Sequence, residues 1–189
     1  KDKDLASPDP DIRKAGVNYL IDILKAMEKV GSKSLVGAMY SYWPCQFEIT
    51  DKEAAWERSI EGMKEVAEAA ESLGIECCQE VLNRYETYII TDCREGLEYC
   101  RRVGSENVNL LLDTFHMNIE EDNIPEAIRL AGRKLGHLHV GESNRKLPGM
   151  GSLPWRDIGR ALRDIGYEKG VVMEPFLLQG GEVARDCKV

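Results

Sequence analysis

Helix, glycine, short apolar strand and polar loop follow one another along the whole chain, and this alternation limits the fold more than anything else in it. Ser7-Pro8-Asp9-Pro10 is a helix start, after which Ile12, Leu20, Ile23, Leu24 and Met27 share one face up to Gly31. Leu35–Tyr40 reads as a strand. Thr50 and Glu53 form a capping box ahead of Trp56, Ile60, Met63, Val66, Ala70 and Leu73 at helical spacing, and Gly74 closes that helix. The pattern then predicts a strand at Ile75–Val81, a helix at Asp92–Val103 stopped by Gly104, and a strand at Val108–Asp113. A helix at Pro125–Leu135, a strand around Leu138–Val140, a helix at Pro154–Ile165 and a last strand at Val171–Glu174 complete the series.

Short strands that are apolar on both faces, alternating with amphipathic helices, call for a parallel sheet with helical crossovers. Five strands and five helices are counted, and the chain opens on a helix. An eightfold (β/α) barrel typically needs about 250 residues, and the chain has 189. The simplest expectation is an α/β chain forming one partial TIM-barrel domain over residues 1–189. The N-terminal strands would be absent, and so would the helix after the last strand. A complete doubly wound sheet is the alternative.

Composition excludes more than it identifies. A net charge of −8 disfavours a nucleic-acid partner. No apolar run reaches the roughly 18 residues of a membrane span, and Lys1-Asp2-Lys3-Asp4 is too charged for a secretory signal. Cys45, Cys77, Cys78, Cys93, Cys100 and Cys187 make no CxxC pair and read as reduced thiols of a cytoplasmic protein.

The ionisable residues gather at the carboxyl ends of strands. Glu80, Asp113, His139 and Glu174 lie at four successive ends, with Asn83, Arg84, Glu86, His116, Glu142, Asn144 and Arg145 just beyond. One such Glu is usually a loop anchor; four in register suit a barrel, whose βα loops converge on a site. A doubly wound sheet would not need a ligand from every strand. Three carboxylates and an imidazole suit Mn²⁺, Mg²⁺ or Co²⁺ better than structural zinc. His116, Asn144 and Arg145 are close enough in sequence to touch the ligands or a substrate. Pro148-Gly149-Met150-Gly151 and Gly180-Gly181 read as mobile loops, and Tyr40-Ser41-Tyr42-Trp43-Pro44 as either a sugar-facing wall or core.

Four stretches carry a family resemblance: Glu80–Glu86, Leu112–Glu121, His137–Arg145 and Val172–Phe176. They are similar to the D-tagatose/D-psicose (allulose) 3-epimerase family of xylose-isomerase-like barrels. The resemblance implies that Glu80, Asp113, His139 and Glu174 bind one divalent metal, usually manganese or cobalt. It implies further that Glu80 and Glu174 act as the acid/base pair, and that Glu86, His116 and Arg145 hold substrate oxygens. A small ketose is then the expected partner, in a homo-oligomer. Epimerisation at C3 runs through an enediolate and needs a base on each face of the carbon. Other isomerases of the same barrels share that chemistry. An endonuclease-type hydrolase would want more metals and more histidines than the three present, and a sugar-binding protein would need no metal-holding carboxylate pair.

Overall fold

The first helix, α1 (Pro10–Val30), begins where Asp9 accepts a hydrogen bond from Asp11 N and ends where Gly31 turns left-handed at φ 74°. Side chains of Asp51, Asp92, Asp113 and Asn123 start later helices, and left-handed Gly74 and Gly104 stop two of them, in the computed structural model, which describes residues 1–45 and 51–176. In chain order they are β1 (Ser34–Gly37), α2 (Lys52–Leu73), β2 (Glu76–Val81), α3 (Cys93–Val103), β3 (Val108–Asp113), α4 (Thr114–Glu120), α5 (Ile124–Ala131), β4 (Leu135–Val140), α6 (Trp155–Asp164) and β5 (Gly170–Met173).

Several boundaries differ from expectation, each for a local reason. The first strand stops at Gly37, whose φ of 136° breaks the extended run, so Ala38–Tyr40 is not strand. The capping box fails. Asp51, not Thr50, caps α2 by accepting from Ala54 N, and Thr50 lies outside the described residues. Gly132, at φ 50°, ends α5 early, and after a single 3-10 turn Leu135 already pairs with Leu110 in the sheet. Helix α4 was not expected; it is seven residues long, too short for a periodic signal.

All strand pairings are parallel and the order is β1-β2-β3-β4-β5, each strand beside the next in sequence. A doubly wound sheet reverses direction at a switch point. No reversal occurs among the described strands. The helices follow the same progression, α1 against α2, α2 against α3, α3 against α5 and α5 against α6, as in the outer ring of a barrel.

Alternation along the strands separates the two faces of the sheet. Cys77, Val81, Leu110, Leu112, Leu138 and Val140 join a core with Val17, Leu24, Met63, Val66, Tyr99 and Ile128 of the helices. The intervening residues, among them Cys78, Glu80, Leu111, Asp113, His137 and His139, therefore face away from the helices. Cys45, Cys77, Cys78, Cys93 and Cys100 are free and buried, while Cys187 lies outside the described residues. No described helix is long and apolar enough to cross a membrane.

Candidate metal centre

Ladder register decides which side chains meet. Glu80 pairs with Leu111, Asp113 with His139, and His139 with Val172. Asp113 thus stands two residues beyond Glu80's level, and Glu174 two beyond His139's. Two-residue offsets preserve parity, so all four project from the helix-free face. Each offers one ligand atom, and those atoms lie within 4.8 Å of one another. Donors held at about 2.0–2.3 Å on one ion are themselves up to about 4.6 Å apart, so the spread matches a single-ion site.

His139 is the centre of the group. Its Nδ1 lies 3.6 Å from Glu80 Oε1 and 3.3 Å from Glu174 Oε2, yet it is buried without a hydrogen-bond partner. Proximity without alignment fits a ring nitrogen that could serve as a metal ligand between two carboxylates. Burial works against the imidazolium, but the Glu174 and Glu80 carboxylates outweigh it and raise the imidazole to about 10. Burial also lifts Asp113 to about 7, against the opposing charge of Arg145. Burial pushes Glu174 upward as well, but His139 and Arg145 more than offset this and its carboxyl ends below the usual range. The pocket concentrates negative charge and recruits positive charge to it. These residues fit a divalent metal.

Asp113 has two tasks. One oxygen caps α4 by accepting from Phe115 N at 2.8 Å, and the other accepts from Arg145 Nη1 at 2.6 Å. Arg145 also reaches Glu174 Oε2 at 3.3 Å and stacks over Phe115 and Phe176. Its backbone is left-handed, with φ 58°, a costly conformation for a long side chain. The bonds Arg145 N to Glu142 O, Glu142 N to Lys146 O and Phe176 N to Arg145 O hold it there.

Glu142, completely buried, anchors the same loop. Its carboxylate accepts from Gly149 N at 2.7 Å, Leu153 N at 3.2 Å and the Trp155 indole. A Cβ at Gly151 would collide with that carboxylate, so only glycine lets the loop close. The glycine-rich turn expected to be mobile is therefore tied to a buried acid. Gly180-Gly181 lies outside the described residues. Asn144 is exposed and caps Lys146 N within the loop, so it does not reach the centre.

His116, 2% exposed, sits in the first turn of α4 with Nε2 3.6 Å from Asp113 and 3.1 Å from Arg145 Nη2. Burial and the Arg145 charge depress it to about 3. Glu86 lies in the loop after β2, where Oε1 accepts from Asn83 Nδ2 and Oε2 from Trp43 Nε1. The aromatic run splits in two. Tyr40 is core, donating its hydroxyl to Glu80 O, whereas Trp43 is exposed at the rim beside Glu86. Of the expected residues, Arg145 reaches Asp113 and Glu174, His116 approaches Asp113, and Glu86 lies beyond His116, 3.8 Å from its Nδ1. Glu142 and Asn83 had no assigned role, and a polar residue beside a ligand motif was the only signal for them. Arg84 turns outward to pair with Glu120.

Comparison with known proteins agrees with this geometry. A D-psicose 3-epimerase of Ruminiclostridium cellulolyticum is 52% identical over 189 residues, all of this chain and 64% of that protein. A D-psicose 3-epimerase of Agrobacterium fabrum is 46% identical over 190 residues, covering 100% of this chain and 66% of its own length. A crystal structure of D-psicose 3-epimerase from Clostridium cellulolyticum H10 with D-tagatose superposes with a TM-score of 0.94 at 52% identity, over 100% of this chain and 65% of that one. The chain thus spans just under two thirds of the relatives' length. Residues 2–186 match the model of the xylose isomerase-like TIM barrels. With consecutive parallel strands delivering four donors to one point, the chain belongs to the xylose isomerase-like TIM barrel family.

Proposed function

We propose that this chain carries the metal-holding part of a ketose 3-epimerase acting on a free ketohexose of the D-psicose/D-fructose or D-tagatose type. The observation that carries the reading is His139 flanked by Glu80 and Glu174, with Asp113 bringing the group within 4.8 Å. The relatives' name, D-psicose 3-epimerase, and a neighbour solved with D-tagatose support the substrate class.

Glu80, Asp113, His139 and Glu174 would hold the ion; the oxygen-rich donor set suits manganese, cobalt or magnesium, and the family resemblance favours manganese among them. When bound, such an ion supplies Lewis-acid polarisation of a carbonyl and stabilises developing charge. The chain's own residues do the rest. In a 2-ketose, the C3 hydrogen is acidic because it lies next to the carbonyl. One carboxylate of the Glu80/Glu174 pair takes that proton, and the C–H electrons move into a C2–C3 double bond as the carbonyl oxygen becomes anionic. The other, protonated, returns a proton to the opposite face. Their positions on either side of His139 suit work on two faces. Arg145 and His116 bring N–H groups to the sugar's oxygens, and Glu86 accepts from a hydroxyl.

The test uses the full-length protein in D₂O. Glu80→Gln and Glu174→Gln should each abolish net epimerisation, and each should exchange the C3 proton of one epimer only, with opposite preferences. Exchange of the same epimer by both variants would replace two bases with one.

A further inference from the structure

Neutral imidazole has one N–H and one lone pair, so the partners of His116 fix where its proton lies. Asn83 N donates to His116 Nδ1 at 3.2 Å. The Asn83 amide nitrogen stands 2.7 Å from the same atom. That amide cannot be turned round, because its oxygen already accepts from Tyr85 N at 2.9 Å and its nitrogen donates to Glu86 Oε1 at 2.9 Å. Nδ1 is therefore an acceptor, and the proton must sit on Nε2. There it meets Arg145 Nη2, a group that can only donate, at 3.1 Å. Two donors face each other, beside Asp113 and at the edge of the four-donor centre.

We infer that Asn83 is a positioning residue: it locks His116 in the Nε2–H tautomer and aims that N–H, together with Arg145, at an oxygen atom of the bound substrate. An acceptor between the two nitrogens removes their conflict. The same amide holds Glu86, so one buried side chain sets two of the residues at the sugar. Orientation of an imidazole through its second nitrogen is the general device by which its reactive nitrogen is set. The kinetic consequence rests on the epimerase reading; the tautomer does not.

The experiment is ¹⁵N NMR of the full-length protein loaded with diamagnetic Mg²⁺, with the His116 signals assigned by their loss in a His116→Gln variant. Wild type should show His116 protonated on Nε2. Asn83→Asp puts an acceptor beside Nδ1, which should draw the proton there and leave Nε2 as a lone pair accepting from Arg145. Its kcat/KM on D-psicose should fall roughly tenfold to hundredfold, the cost of one lost hydrogen bond to a charged or charging group, with metal content unchanged. Asn83→Leu keeps the backbone donor and should retain the Nε2–H tautomer, with a smaller fall through Glu86. A wild-type spectrum with the proton on Nδ1 overturns the inference, as does an Asn83→Asp tautomer identical to wild type. If the tautomer switches while kcat/KM stays within about twofold, the positioning stands and the role of His116 toward substrate fails.

Discussion

The cleft between α3, α4 and α5 is lined by five carboxylates, Asp92, Glu120, Glu121, Asp122 and Glu126, where the metal centre has three. The cleft is roomy, at about 480 Å³. Four of the five nevertheless have structural work already. Asp92 caps α3 at Glu95 N, Glu121 accepts from Cys93 N, Glu120 pairs with Arg84, and Glu126 with Arg129. At the centre, by contrast, His139 Nδ1 is buried between two carboxylates and bonded to neither. Acid density alone is therefore a poor sign of a cation site. Convergence of donors from different strands, with a polar atom left unmatched, is the better one.

The strongest way to break the comparison is to remove the acids that only the centre uses. Glu80→Gln and Glu174→Gln should each cost roughly 10²- to 10⁴-fold in kcat, the scale of proton transfer by a positioned group. A loss under tenfold in steady-state assays would end the distinction between the two regions.

Metal binding comes next. Mn²⁺ at about a hundredfold excess over its Kd should stabilise the full-length protein by about 2.7 kcal/mol, seen as a rise in Tm. His139→Ala should erase that rise. A variant whose Tm still climbs with Mn²⁺ would move the ion elsewhere, the acidic cleft being the obvious place.

The buried thiols sharpen the contrast from another side, as buried titratable groups that are not among the four donors. Burial pushes Cys77, Cys78, Cys93 and Cys100 from 9.0 to about 12. The folded state keeps their protons while the unfolded chain starts to release them near pH 9. Their contribution is thus complete below that pH and is lost as pH rises toward 12, by up to about 1.4 kcal/mol per pH unit for each group. Urea midpoints should fall steeply above about pH 9; a flat profile would mean that the thiols are more accessible than their burial suggests.

The smallest effect belongs to the cleft itself. Glu126→Gln breaks an exposed pair with Arg129 and should change stability by less than about 1 kcal/mol, with one bound metal before and after. Loss of metal in this variant, measured by elemental analysis, would put a ligand where only a surface pair is expected.

Most of this fold is local, and so it was legible. The strand Val108–Asp113 and the helix ends at Gly31, Gly74 and Gly104 fall where expected, because caps and glycine stops act within a few residues. An ionisable residue at each of four successive strand ends likewise pointed to Glu80, Asp113, His139 and Glu174. Helix α4 escaped because Asp113, read as a ligand, is also its N-cap, and one residue's sequence signal cannot announce both roles.

Other features depended on partners distant in the chain. The clasp on Glu142 joins residues up to 13 positions apart, and the lock on His116 spans 33. Such contacts leave no periodic trace, since nothing between the partners repeats. The sequence by itself determined which side chains stand at the strand ends, because strand limits and their stop signals are local to each segment. Only the tertiary structure decided that those ends meet within 4.8 Å and which nitrogen of His116 carries its proton, because strand stagger and hydrogen-bond partners are relations between segments that no single segment contains.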